Sequence, residues 1–134
     1  MATQISYSQT PEFEKDFRKL LKRFGTLKDD LETAKIAAIE LYHIHKIDNL
    51  SIFPVQGFCV KGTQIFKLKK FACRALKGRG SKSGIRIIYA FYSRENKIEF
   101  IEIYFKGDQE NYLAERSDTY YLTALKALTR PADQ

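Results

Sequence analysis

Between Asn49 and Arg94 the sequence contains no aspartate or glutamate. Long apolar runs are missing as well: nothing approaches the roughly 18 consecutive apolar residues of a membrane-spanning helix, so no membrane partner is expected. The opening MATQISYSQTPEFEKDF has no basic head followed by an apolar run and is not expected to act as a secretory signal. Cysteine is scarce. Cys59 and Cys73 have no metal-type spacing, and His43 and His45 lie far from both in sequence. That set predicts a reduced, cytoplasmic setting and thiols that behave as small hydrophobes. Two histidines two residues apart cannot share a helical face, so no metal is expected. The glycine-rich GRGSKSG at 78–84 lacks the GxxxxGK[ST] pattern and joins two strands instead of entering a helix, which excludes a P-loop. No Ser/His/Asp or Cys/His grouping stands out, and no cofactor is expected.

What is present is enough for one domain spanning 1–134, because 44% hydrophobic residues in 134 can build a core. The net charge of +7 is unevenly spread. Nine of the cations fall between Lys61 and Arg86, which leaves the rest of the chain at −2. Residues 10–45 balance seven bases against seven acids. Positive charge focused on one pair of elements suits a phosphate backbone, where each neutralised phosphate releases condensed counterions. A lysine-rich edge that discourages sheet-to-sheet pairing would leave the same composition, but so long a run without acid favours the anion-binding patch.

Residues 5–8 alternate as a short strand. Thr10-Pro11 reads as an N-cap followed by proline in the first turn, and Phe13, Phe17, Leu20, Leu21 and Phe24 form one apolar helical face. Gly25 ends that helix, and Thr26 is expected to cap a second, whose inner face is Leu27, Leu31, Ala34, Ala38 and Leu41. Residues 46–63, with Pro54, Gly57 and Gly62, lack a helical period and form a long segment with room for a short strand. Three strands are expected at 64–76, 85–92 and 97–105. A final helix is expected within 109–129, stopped by Pro131. The order predicts an α+β fold: an antiparallel sheet with its helices on one face, the first two packed as a hairpin or a sharp corner, and an open, basic opposite face.

Arg86 follows a glycine at the start of the middle strand, Lys106 follows the last strand, and Tyr112 comes six residues later. Such a set would suit metal-free RNA cleavage. The 2′-hydroxyl attacks the adjacent phosphate, a guanidinium clamps two phosphate oxygens, and a tyrosine or a lysine of lowered pKa moves protons. Spacing alone favours ordinary surface residues, with Lys106 and Tyr112 exposed and Arg86 paired to Glu102 across the sheet.

GIRIIYAFY (84–92), a short turn, KIEFIEIYFK (97–106) and DQENY (108–112) resemble the RelE/ParE superfamily of bacterial toxin–antitoxin systems. The FEKDFRKLLKRFG helix, a second helix and a basic strand follow the family order. The resemblance implies an α+β fold in which a twisted antiparallel sheet is backed by an N-terminal helical hairpin, with a C-terminal helix. It also implies a messenger RNA interferase that works on the ribosome and is held in check by a cognate antitoxin, in a toxin–antitoxin hetero-oligomer. By position it implies Arg86 as the phosphorane clamp, Lys106 as a phosphate ligand and Tyr112 as the proton-transfer or stacking residue. Lys67, Lys69, Lys70, Arg74, Lys77, Arg79 and Lys82 would contact RNA phosphates. Lys106 stands where arginine or histidine is frequent, and lysine cannot offer a planar fork. The 46–63 segment has no obvious family counterpart. Two further readings stay open: a ParE-type gyrase inhibitor without catalysis, and a non-catalytic RNA-binding module.

Overall fold

Thr10 and Pro11 start the first helix as their chemistry dictates. The Phe13 amide donates to Thr10 Oγ1 at 3.1 Å, and Pro11 occupies the first turn, where no N–H is needed. In the computed structural model, which describes residues 4–60, 62–80 and 82–108 with 56–60 as backbone only, this helix is α1 (Pro11–Arg23). It follows strand β1 (Ser6–Gln9). Phe24, Gly25 and Thr26 lead into α2 (Leu27–Ala34), which continues through a π-helical segment (Lys35–Glu40) into the short α3 (Leu41–His43). Four strands complete the described elements: β2 (Ile52–Val60), β3 (Thr63–Leu68), β4 (Ile85–Tyr92) and β5 (Lys97–Phe105).

The strands form one sheet in the order β1-β5-β4-β3-β2. β2, β3, β4 and β5 run antiparallel in sequence, but β1 pairs with β5 in parallel, so the sheet is mixed where an antiparallel one was expected. The reason is topological: α1 carries the chain from the end of β1 across the sheet, and no tight turn joins β1 to its neighbour. α1 packs on β5. Phe13, Leu20, Leu27, Leu31 and Ile39 share a core with Leu68, Ile85, Ile87, Tyr89, Ile98, Phe100 and Ile103. Ile65, Ile88, Ala90, Ile101 and Tyr104 belong to a second buried cluster. Alternation along β4 separates the two clusters onto opposite sheet faces.

Other expectations are corrected. β3 ends at Leu68, not at residue 76; Lys69 makes one more sheet-like bond, from its amide to the Ser51 carbonyl at 2.9 Å. Beyond it Phe71, fully buried, turns into the core and the chain becomes a loop. The 46–63 segment holds the long edge strand β2, where Pro54 is tolerated because a strand edge can lack a donor. Thr26 does not cap α2 through its side chain. Its hydroxyl donates to Asp30 at 2.7 Å and accepts from the Ala75 amide at 2.9 Å. The expected C-terminal helix lies outside the described residues.

The α2–α3 rod holds polar groups the core must accommodate. Both ends of the π-helical segment meet Tyr7: its hydroxyl donates to Glu40 at 2.8 Å, and Lys35 Nζ lies 4.6 Å from its ring centroid. His43 is buried among Phe66, Tyr89 and Phe91, with Nε2 2.8 Å from the Tyr89 hydroxyl. Burial, aided by Lys46, pulls its pKa down to about 4, so it is neutral at physiological pH. No described helix is long and apolar enough to cross a membrane.

Candidate nucleic-acid interface

Strand alternation decides which cations can act together. On β4, Ile85, Ile87 and Tyr89 enter the helix-covered core, so Arg86 and Ile88 face the other way. The register pairs Arg86 with Tyr104, and Ile88 with both Lys67 and Glu102. A bulge between Ile88 and Tyr89 opposes two β5 residues, Ile101 and Glu102, to one position of β4 and keeps both on this face. Arg86 is therefore not opposite Glu102; its cross-strand neighbour is a tyrosine.

Gly84 shapes the entry to this row. Its φ of +85° lies in the left-handed region, and a Cβ there would meet the Phe105 ring at 3.4 Å. The Lys106 amide donates to the Gly84 carbonyl at 2.8 Å, fastening the end of β5 to the residue just before β4. This bond holds the backbone of Lys106 beside the start of the strand that carries Arg86. Ser83, fully buried, donates to the Phe71 carbonyl and accepts from the Ile85 amide at 3.1 Å, closing the base of the 69–84 loop.

The result is a cleft of about 710 Å³ lined by Lys69, Lys70, Arg79, Lys82, Arg86 and Lys106, with no carboxylate among the described residues of its wall. Leu50, Phe53 and Phe105 supply its apolar part. Arg86 is fixed by donating Nη1–H to the Lys69 carbonyl at 2.7 Å, a contact that orients the guanidinium. Lys67 stands on the same sheet face. Burial lowers its pKa, and the charges of Lys69, Arg86 and Lys106 lower it further, while Glu102 opposes them. Its Nζ lies 5.9 Å from the Tyr104 ring centroid. Glu102 itself is buried. A wall of six cations is a donor set for an anion with several negative groups, not for a metal ion. Among the described residues no group of three or more His, Cys, Asp or Glu side chains could hold a metal.

The residues singled out in the sequence divide three ways. Lys69, Lys70, Arg79, Lys82, Arg86 and Lys106 meet at the cleft, with Lys67 beside them. Arg74 and Lys77 do not. Arg74 donates its backbone amide and Nε to the two oxygens of buried Asp30, each at 3.1 Å, and reaches Asp29 at 3.5 Å. Lys77 lines a separate small concavity with Cys73, Leu76 and Gly80. Tyr112 lies outside the described residues. Two features escaped the sequence reading: the distinct environment of Lys67, and the apolar rim of Leu50 and Phe53. The first was accessible in FKLK, whose alternation puts Lys67 and Lys69 on one face. The second was hidden inside the segment that gave no clear period.

No protein-family model matches the sequence, and no curated protein matches it. A solved structure similar in outline is that of an archaeal RelE–RelB complex from Pyrococcus horikoshii OT3. The likeness has a TM-score of 0.49 and 13% identity, over 78% of this chain and 98% of that one.

Proposed function

We propose that the protein is a ribosome-dependent endoribonuclease toxin, cutting messenger RNA by attack of a 2′-hydroxyl without a metal ion, and restrained by a cognate antitoxin. The observation that carries this reading is the cleft lined by six cations, in which Arg86 is oriented by the Lys69 carbonyl and beside which stands Lys67 of lowered pKa. The resemblance of 84–112 to the RelE/ParE superfamily supplies the ribosomal setting and the antitoxin, and with them a cytoplasmic location.

In the proposed reaction neutral Lys67 takes the 2′-hydroxyl proton. The 2′-oxygen forms a bond to phosphorus as the bond to the 5′-oxygen breaks, leaving a 2′,3′-cyclic phosphate and a 5′-hydroxyl. Arg86 clamps two non-bridging oxygens as negative charge gathers on the phosphorane, and preorganised donors of this kind matter most where charge develops. Lys106 neutralises the same phosphate as a point charge. Tyr112 is assigned the proton that the departing 5′-oxygen requires. Lys69, Lys70, Arg79 and Lys82 bind neighbouring phosphates without regard to sequence.

The test is incubation of the purified protein with messenger bound in programmed ribosomes. Cleavage within translated codons, lost in Arg86→Ala while circular dichroism and melting midpoint are kept, is the expected result. Intact messenger together with blocked DNA supercoiling would replace this reading with gyrase inhibition. Salt-dependent RNA binding without cleavage would leave a binding module. A small neighbouring reading frame whose product co-purifies with this chain and suppresses its activity is the expected antitoxin.

A further inference from the structure

We infer that Leu50 and Phe53 form a shelf for an unpaired nucleobase beside the phosphate cleft, so that the site takes single-stranded RNA by base as well as by backbone. The inference rests on the RNA reading above. Leu50 is 59% exposed and yet lies in the left-handed region, with φ of 65°. A non-glycine residue rarely adopts that conformation, because its Cβ crowds the backbone, and it persists where surrounding structure imposes it. Here the turn is braced on both sides. The Leu50 amide donates to Asp48 Oδ1 at 2.8 Å, the Ser51 amide to Asn49 Oδ1 at 3.2 Å, and Asn49 Nδ2 to the Ala37 carbonyl at 3.2 Å.

A single exposed leucine needs no explanation by itself. This one lines the cleft that holds the six cations, and so does Phe53. Phe53 sits opposite Lys67 on β2, and Lys69 Nζ lies 4.6 Å from its ring centroid. An aromatic ring topped by a cation, with an aliphatic side chain in the same wall and phosphate-binding groups around it, is the combination that holds unpaired bases. Stacking is tolerant of base identity, and the cations take the backbone.

The experiment compares a fluorescent single-stranded RNA oligomer with one of equal length and charge that carries abasic riboses at its centre, by anisotropy at fixed salt. The protein is expected to bind the base-containing oligomer on the order of tenfold more tightly. Phe53→Ala and Leu50→Gly should bring that ratio close to one, while affinity for the abasic oligomer and its salt slope stay as they were. Phe53→Trp should keep the preference. Leu50→Gly suits the left-handed backbone, so its melting midpoint should not fall, which separates lost stacking from lost fold. Equal binding of both oligomers by the unmodified protein overturns the shelf and leaves the phosphate cleft standing. So does a preference that survives Leu50→Gly and Phe53→Ala. Binding of neither oligomer at low salt overturns the RNA reading and the shelf together.

Discussion

Arg74 and Arg86 belong to the same acid-free run and carry the same charge, although only Arg86 stands just after a glycine at the start of a strand. In the fold they meet opposite surroundings. Arg74 is drawn onto the N-terminal turn of α2, where Asp30 accepts from its backbone amide and its Nε. Arg86 donates to the Lys69 carbonyl and lines a cleft walled by five other cations. One guanidinium closes a loop; the other lines an open cleft. The acids that the run lacks are supplied to Arg74 by a helix distant in sequence, so local charge counting overstates the patch by the residues that helix neutralises.

The largest effect should come from Arg86→Ala, which removes the clamp and is expected to slow cleavage by about 10²–10³-fold with little change in melting midpoint. Arg86→Lys should recover only part of this, since an ammonium cannot hold two oxygens in a fork. Lys67 comes next. As a base it must be neutral, so cleavage should rise with pH through a pKa held below the ordinary lysine range, and Lys67→Met should lose about 10²-fold together with that limb. A pH–rate profile of both proteins checks this.

On the helix-covered face, away from the cleft, His43 is buried against the Tyr89 hydroxyl. Its folded pKa of about 4 lies below the ordinary 6.5, so below that ordinary value the unfolded chain takes up a proton that the folded protein refuses. Stability should be complete above about pH 6.5 and decline by up to about 3 kcal/mol as pH falls to about 4. Urea unfolding across that range should show the decline, and His43→Phe should flatten it.

Arg74 should show the reverse of Arg86. Asp30→Ala is expected to cost about 2 kcal/mol by stranding the groups that share its carboxylate. Arg74→Ala should cost about 1 kcal/mol or less, because the side chain is largely exposed and the backbone amide still reaches Asp30. Cleavage should survive in Arg74→Ala. The smallest effects belong to Arg79→Ala and Lys82→Ala, each expected to weaken RNA binding evenly across sequences and lower the salt slope by about one. Titrations at several salt concentrations read this directly.

Much of this arrangement was legible in the chain. Thr10-Pro11 gave the start of α1, the alternation of 85–92 and 97–105 gave the central hairpin, and Gly84 marked the start of the strand that carries Arg86. The parallel pairing of β1 was not legible, because it depends on where α1 returns the chain and not on any pattern within residues 6–9. Nor was the end of β3: KKFACRAL reads as strand by composition, but Phe71 is buried and Ala75 is held by Thr26, contacts that span long stretches of sequence. The separation of Arg74 from the cleft has the same cause. Lys67 could be seen as a cation, while its lowered pKa needed burial first, and then the three cationic neighbours that only the fold assembles.

The most direct measurement is cleavage of ribosome-bound messenger by the unmodified protein, Arg74→Ala and Arg86→Ala, side by side and at equal folded concentration. Cutting at similar rates is expected from the first two, and cutting slower by about 10²–10³-fold from the third. Cutting by Arg86→Ala at the unmodified rate, or a loss in well-folded Arg74→Ala equal to that in Arg86→Ala, would contradict this assignment.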